Sequence, residues 1–311
     1  MQDRLYQQAH QTIGKGSKSF AAAARLFRRD MRRDVMLLYC WCRHCDDLTD
    51  GQALGHGALT TAGPEVLARL QAESRQAAAG RPGPELPYLA LAEVCGRHPL
   101  ANWMIDDHLQ GFALDVAGWQ PETLDDSLRY SYHVAGVVGI MLARIMDVDD
   151  HAILTRACDL GIAFQLTNIA RDLVEDAHGG RCYLPRSWLH DADLELPALT
   201  RPESHSQAYP LVERLLQVAE PYYASARIGV RYLPPRAAWA IATALSVYRD
   251  IGRGLLRRGP RALAIRSSTG AARKLARIAT ATPALWQRDD RSPPLREPAL
   301  WTAPALRPSA S

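Results

Sequence analysis

One stretch constrains this chain more than any other: LGIAFQLTNIARDLVEDAHGGRCYLP, from Leu160 to Pro185. Ile162, Leu166, Ile169 and Leu173 recur at three- and four-residue spacing, the period of a helix with an apolar face turned inward. Set into the same helix are Gln165, Asn168, Asp172 and Asp176. The last three are four residues apart, so they stack along one side over successive turns. Stacked carboxylates repel by roughly 0.2–0.5 kcal/mol per pair even in water, and a helix this apolar does not leave them wholly in water. A cation should offset them, and hard oxygen donors of this kind suit Mg²⁺, with Mn²⁺ as a substitute.

A second acidic cluster closes another apolar helix, MRRDVMLLYCWCRHCDDLTD at 31–50. Asp46 and Asp50 share a helical face, whereas Asp47 points about 100° away. Acids at a helix C-terminus oppose the helix dipole, a cost without a ligand. One such cluster alone reads as a solvated helix end. Two of them in one helical chain point to carboxylates facing each other across a cavity, holding metal ions that bridge to a diphosphate. Arg43, Arg171, Arg181 and Lys18 are donors suited to phosphate oxygens, although singly each reads as a surface salt-bridge residue. Tyr39, Tyr132, Tyr183 and Tyr248 combine an apolar ring with a polar tip, as a cavity wall needs. Ser17, Lys18 and Ser19, in GKGS followed by KSF, group hydroxyls and an ammonium without the spacing of a P-loop.

The chain has 311 residues, 47% hydrophobic and 23% charged, ordinary figures for a soluble globular protein. A net charge of +4 gives a nucleic-acid role no support. No apolar run approaches the ~20 residues of a membrane span; the nearest, Val134–Met146, is too short and contains Arg144. With no apolar signal core near the N-terminus, the expected location is the cytoplasm. Cys42 and Cys45 form a CxxC, but the second half of a structural zinc site is missing. Helical periodicity fits 64–79, 87–97, 100–117, 123–133, 134–147, 207–230, 234–258 and 268–281, and no alternating strand pattern stands out. Ala135, Gly136 and Gly139 inside the fifth of these mark a close approach, by another helix or by a hydrocarbon chain. Residues 1–281 read as one all-helical domain and 282–311 as a proline-rich, loosely ordered tail.

The motifs taken together resemble those of the squalene/phytoene synthases, and within that family they look very like the bacterial phytoene synthases of carotenoid biosynthesis. The matching pieces are GSKSF at 16–20, LYCWCRHCDDLTD at 38–50, QGFALDV at 110–116 and RYSYHVAGVVG at 129–139. They continue with DLGIAFQLTNIARDLVEDAHGGRCYLP at 159–185, AEPYY at 219–223 and AWAIATALSVYRDIG at 238–252. The resemblance implies an all-α isoprenoid-synthase fold, a helical bundle around a deep central cavity. It implies Asp46 and Asp50 as one metal-binding motif and Asn168, Asp172 and Asp176 as the other. Ser17, Lys18, Ser19, Tyr39, Arg43, Gln165, Arg171, Arg181, Tyr183 and Tyr248 match positions associated with the diphosphate or the prenyl chain, and Tyr132 opens a cavity-lining YxVAG motif. Gly16 stands where some relatives that use shorter prenyl chains carry His.

The implied reaction is Mg²⁺-dependent head-to-head condensation of two geranylgeranyl diphosphates, through prephytoene diphosphate, to phytoene. No GxGxxG follows a predicted strand, so no nicotinamide is expected. The product is extremely apolar, and peripheral contact of an arginine-rich surface with the inner face of the cell membrane is expected, together with association with other carotenoid-pathway enzymes. Within the family, a squalene or dehydrosqualene synthase using farnesyl diphosphate is the nearest alternative. Outside it stand a non-catalytic scaffold and a di-iron bundle, for which Glu175 and His178 supply one ExxH where two are required.

Overall fold

In the computed structural model the described residues are 6–7, 23–50, 62–264, 278–285, 289 and 291–306, with the side chains of residues 50, 284, 285 and 305 excepted. Ser17, Lys18, Ser19 and the helical pattern at 268–277 lie outside them. Every regular element among the described residues is helical. In chain order these are α1 (Arg29–Asp50), α2 (Pro64–Ala78), α3 (Leu86–Cys95), α4 (Asn102–Val116), α5 (Leu124–Ser131) and α6 (Val137–Ile145). They continue with α7 (His151–His178), α8 (Arg186–Asp191), α9 (His205–Val230) and α10 (Pro235–Arg258).

The stretch read as two helices across 123–147 is one path with a defect in it. A wide π-turn, Tyr132–Gly136, joins α5 to α6. Such a turn carries one residue more than the α-helical repeat, which reorients the side chains on either side of it. Thr123 starts α5 with a reciprocal cap: its side chain accepts from the Asp126 amide while the Asp126 carboxylate accepts from the Thr123 amide. Asp150 starts α7 in a similar way, its carboxylate accepting from the amides of Ala152 and Ile153.

Helix α7 is the axis of the molecule, about 42 Å long at 1.5 Å per residue. It packs against α6 and the π-turn and against α9 and α10. Thr167 and Tyr223 share a hydrogen bond of 2.8 Å across the α7–α9 seam. Helix α1 packs instead on α3 and α4. The two acid-bearing helices therefore belong to different packing layers of one continuous apolar core.

Gly136 of the YxVAG segment and Gly139 just beyond it are approached closely by a helix. A Cβ on Gly139 would lie 2.3 Å from the Ala157 carbonyl oxygen of α7, and one on Gly136 3.1 Å from the Cys158 sulfur. Reciprocally, a Cβ on Gly161 would lie 2.2 Å from the Ala135 carbonyl oxygen. Backbone meets backbone along this seam, which only residues without a side chain allow.

The end of the chain departs from the sequence reading. Residues 291–306, expected as part of a loose tail, are anchored: Leu300, Ala303 and Leu306 are buried. The Arg296 guanidinium holds Asp159 of α7 with two bonds, of 2.7 and 2.8 Å. Composition misled because few, widely spaced contacts secure this segment. The six cysteines are free, and Cys42 and Cys45 lie one turn apart on α1.

The seam predicts that Gly139→Ala lowers folding stability by about 3 kcal/mol, because neither colliding backbone can yield cheaply. Urea unfolding of the two proteins measures it; an unchanged midpoint would show that the helices separate freely.

Candidate active site

The last two turns of α1 carry Asp46 and Asp47, and Arg43 of the same helix closes back on both acids. One guanidinium nitrogen lies 2.8 Å from Asp46, and the others bond Asp47 at 2.9 and 3.0 Å. Burial works against the Arg43 charge, but Asp46 and Asp47 outweigh it and raise its pKa. One turn earlier, burial pushes the Tyr39 hydroxyl up, with Arg43 opposing and Tyr248, Asp46 and Asp47 reinforcing. Tyr39 therefore stays a neutral donor. The backbone of Asp50 completes α1, and its side chain lies outside the described residues.

Across the bundle, Arg171 grips its neighbour Asp172 through two bonds, Nε at 2.8 Å and Nη2 closer still. Burial opposes the Arg171 charge, and Asp172, Tyr248 and Asp176 sustain it. Tyr248 of α10 joins the two acidic helices: its hydroxyl feels Arg171 and Asp172 on α7 and also acts on Tyr39 of α1. Its ring lies almost flat on Phe164 of α7, 4.0 Å between centroids. Tyr248 thus lies within electrostatic reach of residues on both acidic helices.

The rest of the α7 series lies one turn to either side. Gln165 accepts a hydrogen bond of 3.3 Å from the Asn168 amide. The Asn168 carbonyl oxygen is buried and has no hydrogen-bond partner. Asp176 is held well above the usual carboxylate range, first by desolvation and then by Asp172 and Glu175, with Arg181 pulling the other way. A buried amide oxygen without a hydrogen-bond partner, on the same helix as a carboxylate that resists ionisation, is a donor set whose chemistry fits a hard cation. Among the described residues no three His, Cys, Asp or Glu side chains form a ready-made cage. Mg²⁺ does not need one, since it keeps several waters and binds through one or two carboxylates plus substrate phosphate.

Two acids were missed in the sequence. Asp115 on α4 accepts from the hydroxyls of Tyr130, 3.0 Å, and Tyr183, 2.9 Å, whose rings stack at 4.5 Å. Tyr183 is thereby committed to Asp115, which also lies within electrostatic reach of Asp176. Asp107, two turns earlier on α4, accepts from the Tyr132 hydroxyl, and its backbone carbonyl lies 2.8 Å from His133 Nδ1. Asp115 is an isolated acid within the apolar half of α4, and Asp107 is the second of the Asp106-Asp107 pair; those were the available signals.

With this geometry in place, known proteins give it a context. The sequence profile described as squalene/phytoene synthase matches residues 13–275. A 15-cis-phytoene synthase of Pantoea ananas is 49% identical over 303 residues, 96% of this chain and 98% of that one. A phytoene synthase of Pseudescherichia vulneris is 45% identical over 306 residues, 97% of this chain and 99% of that one. Among solved structures, a dehydrosqualene synthase in complex with a ligand superposes with a TM-score of 0.79 at 26% identity, covering 91% of this chain and 97% of that one.

Replacing Asp176 by Asn removes a charge that the metal-free protein resists. Its melting temperature should rise by on the order of 2 °C while turnover is lost. A fall in melting temperature would mean that the carboxylate is already compensated.

Proposed function

The chain belongs to the squalene/phytoene synthase family, and we propose that it acts as a phytoene synthase, joining two geranylgeranyl diphosphates head to head. The observation that carries this reading is near-half identity to phytoene synthases over almost the whole chain. The electrostatic reach of Tyr248 to Tyr39, beside Arg43 and Asp46, and to Arg171 and Asp172 supports it. Diphosphate leaves the first substrate, and the allylic cation is attacked by the double bond of the second. Loss of a proton closes the cyclopropane of prephytoene diphosphate. Departure of the second diphosphate, ring rearrangement and loss of another proton give phytoene. Both steps are redox-neutral, so no nicotinamide is required.

Asp46, Asp50, Asn168, Asp172 and Asp176 are the residues that would hold Mg²⁺, which supplies Lewis acidity toward the diphosphate oxygens. The orphaned Asn168 oxygen and the raised Asp176 support that assignment. Arg43 and Arg171 are parked on carboxylates of their own motifs, planar donors able to turn to phosphate oxygens. Arg181, and Lys18 with Ser17 and Ser19 outside the described residues, belong to the same assignment, as does Gln165. Phe164 and the ring of Tyr248 offer the cation an apolar, polarisable wall that keeps water away.

Incubation with labelled geranylgeranyl diphosphate and Mg²⁺, without nicotinamide, should yield phytoene, and farnesyl diphosphate should be a poor substrate. A preference for farnesyl diphosphate would reassign the chain to the dehydrosqualene branch. Asp172→Asn should lower kcat by a factor of about a thousand or more with the fold intact, the scale of losing one preorganised electrostatic contact. Wild-type turnover would remove Asp172 from the machinery.

No described helix is long and apolar enough to cross a membrane. Product release is assigned to a peripheral contact instead. Arg253, Arg257, Arg258 and Arg261 are exposed around Leu256, itself 44% exposed, at the end of α10. This face would meet anionic lipid from the cytoplasmic side, where the next enzyme of the pathway collects the product. Vesicles containing anionic lipid should co-sediment the protein at low salt and release it at high salt; equal binding to neutral vesicles would refute the electrostatic docking.

A further inference from the structure

The C-terminal segment is built into the end of the bundle away from the acids. Its Arg296 reaches the fully buried Asp159, which also accepts from Ser225 of α9 at 2.5 Å. The same guanidinium donates to Thr302 Oγ1 and to the Trp301 carbonyl, both at 2.8 Å, so it folds the segment around itself. Arg156 of α7 donates to the Pro294 carbonyl and, at 3.0 Å, to Ser225 Oγ. The Trp301 amide donates to the Tyr222 hydroxyl at 3.0 Å. The segment therefore crosses α7 and α9 and fastens to both.

Where it ends up matters more than how it is held. The Trp301 indole packs on the Tyr132 ring, 5.5 Å between centroids at 46°. Tyr132 is 1% exposed; its hydroxyl is bound by Asp107 and its ring lies against Gly136, where an added Cβ would stand 3.2 Å away. The π-turn sets the direction of this side chain, Asp107 fixes its tip, and Trp301 covers its ring.

We propose that residues 291–306 form a strap that positions Tyr132 for the reaction, with Trp301 as the positioning residue. The proposal rests on the assignment of Tyr132 to the cavity. Asp159 precedes Asn168 by nine residues, roughly 14 Å along α7. A loosened strap would therefore disturb the hydrocarbon end of the site and leave diphosphate binding alone. Full-length Trp301→Ala should lower kcat about tenfold, keep KM for geranylgeranyl diphosphate within about twofold, and release a larger share of prephytoene diphosphate. Trp301→Phe should restore most of the turnover and the normal product share. A purely structural role would reduce the folded fraction but leave the product share of the folded enzyme unchanged. Should Trp301→Ala not fold, Trp301→Leu keeps part of the apolar packing without the aromatic face and is expected to show the same split. Folded Trp301→Ala or Trp301→Leu with wild-type kcat and product share, beside an impaired Tyr132→Phe, overturns the strap. Wild-type behaviour of Tyr132→Phe overturns the assignment of Tyr132, and the strap with it.

Discussion

Like charges held in a poorly hydrated place are the constraint from which this molecule is organised. Asp172 and Asp176 stand one turn apart on the most buried helix, and desolvation with mutual repulsion already keeps Asp176 reluctant to ionise. Two arginines make the arrangement tolerable, Arg171 on Asp172 and, on the other acidic helix, Arg43 on Asp46 and Asp47. Neither pairing serves packing, since better-packed apolar residues would cost less. They make sense in a site where a strongly anionic substrate arrives and the arginines and carboxylates exchange partners.

The apolar framework then has to satisfy two opposed requirements. It must hold α1 and α7 close enough for Tyr39, Tyr248 and Arg171 to sense each other, yet leave room between them. Packing α1 chiefly on α3 and α4, and α7 on α6, α9 and α10, does this, because each acidic helix is aligned by its own neighbours. Tyr248, stacked on Phe164, is the side chain that spans the remainder.

Much of this was legible because charge and periodicity are local properties. The helical spacing of Ile162, Leu166, Ile169 and Leu173 located the buried face, and the four-residue spacing of Asn168, Asp172 and Asp176 located the acids. The match of seven motifs to one family supplied the reaction, which spacing alone did not. What escaped depends on partners far away in the chain. Asp115 acquires its role only beside Tyr130 and Tyr183, Asp107 only beside Tyr132. Arg296 reads as an ordinary charge in a proline-rich tail until Asp159, well over a hundred residues earlier, is seen to be its counter-ion. Gly136 and Gly139 announced a close approach without saying to what, and the structure answers with Ala157 and Gly161 of α7.

That last contact has a consequence for how such an enzyme can change. Along the seam the wall behind the π-turn is main chain against main chain, and main-chain atoms are the same whatever residue is encoded. Substitution can repaint the surfaces that face the substrate, but at Gly139 and Gly161 it cannot move the wall without breaking it. Divergence toward longer or shorter hydrocarbons has to proceed on the other walls, with this one as the fixed datum from which they are measured.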